Sequence, residues 1–412
     1  MADAPILLDL THTSHTRART GIQRTARALW RELGALGRPI CHDPFEKAWR
    51  PLEPWELANL ADDSVGGARG ADWPAAARWR GRLRRLLRRP SPAPFGVPPG
   101  EACCFLSAEI FSPSTAAALP SLLRSVRGPR AALFFDAIAL QYPEFTPEKS
   151  VARYPAYLQE LTMFDGVAAN SEASRAALAD YWKWLGIADA PPVAAITPAP
   201  DPPGPDVQKA RAGAEAGAPA KEAAPVVLCV GTIEGRKNQA ALLEACESLW
   251  ARGLRFELRL IGMPRPETGR AALEQIARLR RAGRPLRYDG AAGDSTREEA
   301  YAEAAFTVYP SLVEGFGLPV AESLSRGKPC ICSGRGALGE LARGGGCLEV
   351  DPPGPRELAA AIQSLLADPA RLAALAAAAR ARRFKTWKEY SAEVADWIAA
   401  LPRRIRREPI PR

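Results

Sequence analysis

The chain contains little that could crosslink it or bind a metal. Eight cysteines and three histidines are few for 412 residues. Seven of the cysteines stand in or beside short apolar runs that are typical of strands. We expect these seven as small buried side chains in a reducing compartment: Cys41, Cys103, Cys104, Cys229, Cys330, Cys332 and Cys347. Cys330 and Cys332 lack a second pair at ligand spacing, which argues against a zinc site.

Long apolar runs are also missing. No run approaches the roughly 18 residues of a membrane span, and the first residues do not form a basic leader with a long apolar stretch. We therefore expect a cytoplasmic protein. The net charge of +9 is concentrated, with seven arginines and one aspartate in residues 71–90 and five arginines and one glutamate in residues 401–412. About −1 remains for the rest of the chain, which argues against nucleic-acid binding.

At 412 residues the chain exceeds a single compact core and suits two domains. Strands and helices alternate along both halves, which predicts an α/β fold of parallel sheets covered on both faces. Residues 199–224 are rich in proline, glycine and alanine and are interpreted as a linker. The predicted domains are therefore residues 1–198 and 225–385, followed by a returning helix and a basic tail at 386–412.

Apolar runs predict six strands in each half. Those of the first half lie at 6–10, 39–42, 103–107, 131–136, 166–169 and 193–197, with a helix from Ile22 to about Leu36. Those of the second half lie at 226–230, 255–261, 286–289, 305–309, 329–333 and 347–350. Two alanine-rich helices, near 355–383 and 386–401, are predicted to close the chain.

Two glutamates eight positions apart, Glu314 and Glu322, lie in the run that joins the predicted strand at 305–309 to an amphipathic helix beginning near Pro319, and Glu322 lies about one turn inside that helix. Ligands of parallel sheets bind outside the carboxyl ends of the strands, where free N–H groups of helix N-termini suit a phosphate. A carboxylate does not help to hold an anion, so two of them beside such a site indicate hydroxyl partners. A sugar phosphate ester offers both groups.

A second segment, from Val226 to Asn238, predicts a strand, a glycine turn at Gly231 and a helix opened by Arg236 and Lys237. This order of strand, glycine, cation and helix is a phosphate-binding layout. It is separated from the first segment by about 80 residues, and in each case the candidate residues follow a predicted buried strand.

Together the two segments resemble the retaining glycosyltransferases of family 4. Their E-x7-E signature corresponds to Glu314 and Glu322, with Phe316-Gly317-Leu318-Pro319 between them. The usual proline of the glycine turn is Gly235 here. The resemblance is to bacterial mannosyl- or rhamnosyltransferases. It implies a GT-B fold, in which two Rossmann-like, doubly wound parallel-sheet domains face each other across a cleft and the last helix braces the first domain.

The resemblance also implies a role for each matching residue. Arg236 and Lys237 would contact the diphosphate of a nucleotide-sugar donor, and Glu314 would meet the donor sugar. Glu322 would bind the ribose hydroxyls. The implied catalytic residues are Glu314, Lys237 and Arg236, and the implied donor-binding residues are Glu322, Gly231, Thr232, Phe316, Gly317 and Leu318.

The first half matches the family more thinly. Gly21 lies in a run similar to the family's glycine turn before the first helix, and Asp136 ends a strand where the family places a histidine-aspartate pair. Phe135 stands in place of that histidine. The resemblance implies that Gly21 and Asp136 face the acceptor or its phosphates. His12 and His15 are interpreted as polar loop residues, with a role in the site as the alternative.

The reaction implied is transfer of a sugar, with retention of configuration, from a nucleotide diphosphate to a hydroxyl of a growing, lipid-linked glycan. Such glycans belong to polysaccharide or lipopolysaccharide assembly. The chain lacks an Asp-x-Asp triplet, the metal-binding mark of the other large transferase fold, so neither a metal nor a cofactor is expected. Two alternatives stay open: a phosphorylase of the same fold, and a sugar-binding or scaffolding member without catalysis.

The arginine-rich residues 78–89 place Trp79, Leu83, Leu86 and Leu87 on one helical face. This composition predicts an interfacial helix that favours anionic lipids, and the basic residues 403–407 are a second candidate. The competing interpretation is a solvated insertion docked on the domain. If the first holds, the protein is peripheral on the inner face of the cytoplasmic membrane.

Overall fold

A computed structural model describes residues 4–62, 70–87, 102–203 and 224–404. The chain divides into two compact units: the first comprises residues 1–136, 153–198 and 387–412, and the second comprises 137–152 and 199–386. The predicted first domain, residues 1–198, therefore loses residues 137–152 to the second unit. One contact that ties these residues to the second unit is made by Phe145, whose ring packs against Gly235. A Cβ added at Gly235 would lie only 3.1 Å from that ring. The absent side chain leaves room for that ring.

The first unit is built on a seven-stranded sheet of order β3-β2-β1-β4-β5-β6-β7, parallel except for the antiparallel pair β2–β3. The strands are β1 Ile6–Asp9, β2 Gly37–Asp43, β3 Ala48–Pro51, β4 Cys104–Ser107, β5 Arg130–Phe134, β6 Gly166–Ala169 and β7 Val193–Ala195. Strand β3 was not predicted, because its four residues are too few to show an alternating pattern and end in a proline. An edge strand tolerates proline since it leaves one side unpaired.

The second unit has a fully parallel six-stranded sheet of order β10-β9-β8-β11-β12-β13. Its strands are β8 Val226–Val230, β9 Glu257–Ile261, β10 Leu286–Tyr288, β11 Ala304–Tyr309, β12 Cys330–Cys332 and β13 Cys347–Glu349. This is the strand order of a Rossmann sheet, in which successive strands are added first on one side of the starting strand and then on the other. The reversal, or switch point, lies here between β8 and β11.

Helices cover both sheets. In the described residues they are α1 Gly21–Leu33, α2 Pro54–Ala61, α3 Ala75–Leu86, α4 Pro113–Ser125, α5 Ile138–Gln141, α6 Glu148–Glu160, α7 Glu172–Trp184, α8 Gln239–Ala251, α9 Pro266–Arg281, α10 Asp294–Glu303, α11 Leu318–Ser325, α12 Gly336–Ala342, α13 Pro355–Ala367, α14 Pro369–Ala381 and α15 Trp387–Ala400. The last helix, α15, packs in the first unit, where Tyr390, Val394 and Ile398 join the core formed by β1, β4 and α1.

The single helix predicted near 355–383 is wrong, because the chain breaks between α13 and α14 at Asp368. Proline lacks an N–H group and cannot continue a helix, so Pro369 begins a new one. The Asp368 carboxylate accepts the N–H of Arg371 at 2.9 Å and caps this second helix. Within the described residues no single helix is long and apolar enough to cross a membrane. Among these residues, only the pair of α13 and α14 taken together has the length and apolar composition of a membrane span, and the pair is bent by 97°.

The cysteines behave largely as predicted. Six of the seven named cysteines are buried, and all are free thiols. The exception is Cys347, which is partly exposed at the edge strand β13.

Candidate functional site

The candidate site forms at the switch point of the second unit. Because β8 and β11 are neighbours and parallel, the loops that follow them leave the sheet at the same edge. The N–H of Leu312 donates to the carbonyl of Arg236 at 2.9 Å, and the Arg236 guanidinium donates to the carbonyl of Val313 at 3.2 Å. These bonds join two loops that lie 77 residues apart in the chain.

Glu314 is held between two cations. Lys237 Nζ lies 2.5 Å from Glu314 Oε1, and Arg236 Nη1 lies 2.8 Å from Glu314 Oε2. Burial alone would raise the pKa of Glu314, but Arg236 and Lys237 outweigh it and lower that pKa to about 2. The carboxylate is therefore ionised at neutral pH. Burial lowers the pKa of Lys237, and Arg236 lowers it further, against the attraction of Glu314.

A second acid, Glu234, completes this charge cluster. Arg236 Nη2 lies 2.8 Å from Glu234 Oε1, and Arg265 Nη1 lies 3.0 Å from Glu234 Oε2. Burial would raise the pKa of Glu234, but the surrounding cations lower it overall, with Arg236 the strongest. Three cations and two carboxylates leave a net charge of +1, so the cluster favours a further anion. Neither Glu234 nor Arg265 received a role from the sequence: Glu234 lies inside the segment from Val226 to Asn238 but was given none, and Arg265 lies outside both segments.

Tyr309, the last residue of β11, contacts both members of the Glu314–Lys237 pair. It received no role in the sequence analysis. Its hydroxyl donates to Glu314 Oε1 at 3.0 Å and contacts Lys237 Nζ. Its ring lies under the same ammonium, with Nζ 4.6 Å from the centroid. A tyrosine at the carboxyl end of a buried strand was the available signal, because a buried hydroxyl needs a partner. We infer that Tyr309 positions Lys237 and Glu314.

With the nucleotide-sugar donor that the sequence resemblance implies, Tyr309→Phe should lower kcat/KM about tenfold, since hydrogen bonds to charged groups contribute roughly 1.5–3 kcal/mol. The measurement is steady-state release of the nucleotide. Tyr288→Phe is the matched control, because that hydroxyl donates to a neutral acceptor, the carbonyl of Gly262, at 2.9 Å. Equal losses in both variants would contradict the positioning role.

Glu322 lies apart from these contacts, inside α11. It is 1% exposed, and the Tyr301 hydroxyl donates to its Oε2 at 3.3 Å. The guanidinium of Arg326 lies over the Tyr301 ring, 4.8 Å from its centroid. Helix α11 begins after Gly317, whose φ of 104° favours glycine, and a Cβ there would meet Leu338 at 2.6 Å. The glycine thus lets the loop enter α11 with Glu322 on its buried side.

The other donor-binding candidates line the same two loops. A Cβ added at Gly231 would lie 3.7 Å from the ring of Tyr309 and 4.0 Å from Cε of Lys237, so this glycine borders the charge cluster. The Thr232 carbonyl accepts a hydrogen bond from Gln239 at 2.9 Å. Phe316 is buried in an apolar cluster around α11, and Leu318 begins that helix. Phe316 is therefore held by apolar packing, whereas Arg236, Lys237 and Glu314 contact one another through ion pairs.

The remaining candidates belong to the first unit. Gly21 is the first residue of α1, after the loop that follows β1. Asp136 follows β5, and its carbonyl accepts a hydrogen bond from the Tyr154 hydroxyl. Phe135, at the position of the family's histidine, is buried in the core of the first unit. Strand β4 separates β1 from β5 in the sheet.

His15 is not the polar loop residue that the sequence suggested. Its ring is buried and stacks on Trp73 at 3.7 Å, and its Nε2 lies 2.7 Å from Glu56 Oε1. Ligand atoms of His15, Cys41 and Glu56 lie within 4.8 Å of one another, a spacing that could suit a metal. Both Glu56 oxygens, however, already accept from Arg50 at 2.7 and 2.8 Å. The cluster is therefore better described as a buried ion-pair network.

Sequence reasoning also missed a pair of buried acids at the switch point of the first unit. Asp9 ends β1 and Glu109 follows the neighbouring β4. Glu109 accepts the N–H groups of His12 and Thr13 at 2.7 and 2.6 Å, which holds the loop after β1. Burial and then Glu109 raise the pKa of Asp9 to about 7, despite hydrogen bonds from Thr11.

The raised pKa of Asp9 predicts a loss of stability with rising pH. Between about pH 4 and 7 Asp9 stays protonated in the folded chain but ionises in the unfolded chain, so the free energy of unfolding falls as pH rises, by up to about 1.4 kcal/mol per pH unit, and levels off above pH 7. Asp9→Asn should flatten this slope in urea unfolding followed from pH 4 to 8. Asp72→Asn, at an exposed side chain, should leave it unchanged. An unaltered slope in Asp9→Asn would disprove the assignment.

Comparison with known proteins agrees with this architecture. Residues 214–382 match the family model of the glycosyl transferases group 1. The Escherichia coli O-antigen chain mannosyltransferase B is 37% identical over 142 residues, which cover 34% of this chain and 36% of that protein. The E. coli serotype-specific mannosyltransferase WbdA is 25% identical over 363 residues, 82% of this chain and 40% of that protein. The matches thus span about two fifths of these relatives' own lengths.

A solved structure extends the likeness over the whole chain. Anabaena HepE in complex with UDP and glucose aligns with a TM-score of 0.63 at 16% identity, covering 97% of this chain and 100% of that one. Two Rossmann-like parallel sheets and this likeness define the class, an α/β protein of the GT-B fold. The chain carries a glycosyl transferases group 1 domain and is homologous to the E. coli mannosyltransferases, which confirms the resemblance seen in the sequence.

Proposed function

We propose that the protein is a retaining hexosyltransferase that moves a sugar from a nucleotide diphosphate to a hydroxyl of a growing, lipid-linked glycan without a metal ion. The observation that carries this proposal is the contact of Glu314 with both Arg236 and Lys237 at the switch point of the second sheet. Two fixed cations there suit a diphosphate leaving group, and a carboxylate beside them suits sugar hydroxyls. The O-antigen chain mannosyltransferase among the relatives supports a glycan acceptor.

The ion pairs suggest how donor binding proceeds. Glu314 neutralises part of the charge on Arg236 and Lys237, so a diphosphate competes with it for the same cations. A diphosphate carries more negative charge than one carboxylate and makes stronger charge-assisted hydrogen bonds. Once displaced, Glu314 accepts hydrogen bonds from the donor sugar. Arg236 and Lys237 then offset the charge that develops on the diphosphate as the bond to the sugar breaks.

Glu322 is assigned to the ribose hydroxyls. It lies in α11, which follows the loop of Glu314, and it is buried against Tyr301. A buried carboxylate accepts two hydroxyl hydrogen bonds well, and a ribose presents two adjacent hydroxyls. Gly21 and Asp136, in the first unit, are proposed for the acceptor side.

The test is a panel of nucleotide diphosphate sugars screened by thermal stabilisation of the full chain, since a ligand that binds only the folded state raises the melting temperature. At least one donor should stabilise the wild type. Glu322→Gln should weaken that donor's Kd about tenfold, whereas Glu267→Gln, at an exposed position of α9, should not. NMR of the product then gives the anomeric configuration. Inversion, or turnover that EDTA abolishes, would contradict the retaining, metal-independent mechanism.

The two other functions are separated by the same assay. A phosphorylase would release sugar phosphate from a glycoside with inorganic phosphate and would need no nucleotide. A sugar-binding member without catalysis would be stabilised by a nucleotide sugar but would neither transfer nor hydrolyse it. The buried charge cluster favours the transferase over the sugar-binding member, because binding alone does not require a cation pair beside the donor sugar.

A further inference from the structure

Helix α3 presents large apolar side chains to solvent. Trp79 is 65% exposed, Leu86 82%, Leu87 54% and Leu83 38%. At 3.6 residues per turn, Trp79, Leu83 and Leu86 lie on one face of the helix. Single exposed apolar residues are common on protein surfaces, but four within nine positions form a patch that calls for a partner.

The opposite face of α3 fixes the helix on the first unit. Ala77 and Gly81 are its buried residues. A Cβ added at Gly81 would lie 2.9 Å from Cβ of Phe45 and 3.2 Å from the carboxylate of Asp43, so the helix backbone sits directly on the turn between β2 and β3. Since 77 and 81 lie opposite Trp79 and Leu83 on the helix, this packing keeps the apolar face turned outward.

Arginines flank the apolar face on both sides. Residues 75–87 contain five arginines and no acidic residue. On one side, Arg80 and Arg84 reach Glu53 at 2.6 and 3.2 Å. On the other side lie Arg78, Arg82 and Arg85, of which Arg82 lies over the Phe45 ring, 5.7 Å from the centroid. We call Trp79, Leu83, Leu86 and Leu87, together with Arg78, Arg82 and Arg85, the α3 face.

We propose that the α3 face docks the chain on an anionic lipid surface. Trp79 and the three leucines enter the boundary between headgroups and acyl chains, and the arginines bind the phosphates of the headgroups. Arginine suits this position because its long apolar stem lies along the membrane while its charged end reaches the headgroups. The proposal is independent of the glycosyl transfer reaction. Residues 88, 89 and 405–407, named with this surface in the sequence, lie outside the described residues.

A second exposed apolar site shows what the α3 face has in addition. Trp184 and Leu185, at the end of α7, are 79% and 43% exposed. The charged residues beside them are mixed, with Asp180 and Lys183 within five positions. That site therefore offers similar apolar exposure without a one-sided positive charge, and it supplies the matched control.

The experiment is co-sedimentation of the full chain with vesicles of phosphatidylglycerol and phosphatidylcholine, and with phosphatidylcholine alone, without any nucleotide sugar. The wild type should bind the anionic vesicles and release in 0.5 M salt. Trp79→Ser with Leu86→Ser should lower the partition coefficient at least tenfold, and Arg82→Glu with Arg85→Glu about tenfold or more. Circular dichroism and the melting temperature confirm that each variant is folded.

The controls change the same chemistry elsewhere. Trp184→Ser with Leu185→Ser, and Arg280→Glu with Arg281→Glu at the exposed end of α9, should leave vesicle binding within about twofold of the wild type. Equal losses in control and test variants would overturn the proposal, because binding would then be non-specific. The proposal would also be overturned if the chain formed a dimer that dissociates in the Trp79→Ser with Leu86→Ser variant. It would likewise be overturned if the chain bound duplex nucleic acid as tightly as it binds the anionic vesicles. Because no donor is present, none of these results bears on the transferase assignment.

Discussion

Lys237→Met should reduce kcat for transfer about 10²- to 10³-fold while the chain stays folded. Lys237 is one of two cations within 2.8 Å of Glu314, and removing one fixed charge at a site where negative charge develops typically has an effect of this size. Methionine keeps most of the side-chain volume. The measurement is single-turnover transfer from the donor identified by thermal stabilisation, with Lys388→Ala, at an exposed lysine of α15, as the control.

Stability must be followed beside activity, because Lys237→Met leaves Glu314 buried with one cation fewer. Breaking a buried ion pair typically costs about 3–5 kcal/mol. The double variant Lys237→Met with Glu314→Gln removes a charge of each sign, so we expect it to unfold at a higher temperature than the single variant and to remain inactive. Wild-type turnover in a folded Lys237→Met protein would disprove the role assigned to this lysine.

Gly262→Ala should destabilise the second unit by about 3 kcal/mol or more. Gly262 follows β9, and a Cβ there would lie 1.8 Å from the carbonyl oxygen of Gly231 and 2.4 Å from its carbonyl carbon. Both atoms are backbone, so no side chain can rotate away. The collision displaces the turn at Gly231, which borders Lys237 and Tyr309, so donor binding should be lost with stability.

The measurement for Gly262→Ala is thermal unfolding followed by circular dichroism, where a fall in Tm of about 10 °C is expected. Gly70→Ala is the matched control, because no heavy atom of the described residues lies within 4 Å of its added Cβ and its φ lies outside the left-handed region. If Gly262→Ala has the same melting temperature as the wild type, the backbones of Gly231 and Gly262 are not as close as the structure places them.

The strands were predictable because each is a short apolar run between polar turns. Those at 166–169 and 226–230 were predicted to the residue, and most others to within two residues. Strand β3 and the break at Asp368 were not predicted. The first is held by pairing with β2, a contact that its own four residues do not reveal. The second depends on a proline inside an alanine-rich run, where helix propensity hid the stop.

The motif residues of the second half could be named because spacing along a chain is a property of sequence. Glu314, Arg236 and Lys237 were expected near one ligand, and the structure places them in contact with each other. Arg265 could not be named, and Tyr309 and Glu234 received no role, because their contacts with the charge cluster form only when separate loops meet. His15 was misjudged for the same reason, since its partners Glu56 and Trp73 follow it by 41 and 58 residues.

Sequence alone therefore determined the alternation of strands and helices, the resemblance to glycosyltransferases and the two segments that we propose bind the donor. These follow from local apolar patterns and residue spacing, which need no knowledge of distant contacts. Only the tertiary structure decided that Glu314 is ionised between two cations, that Asp9 and Glu109 share a buried site, and that the apolar face of α3 points to solvent. Burial and charge pairing are sums over neighbours in space, and the folded backbone alone sets which residues are neighbours.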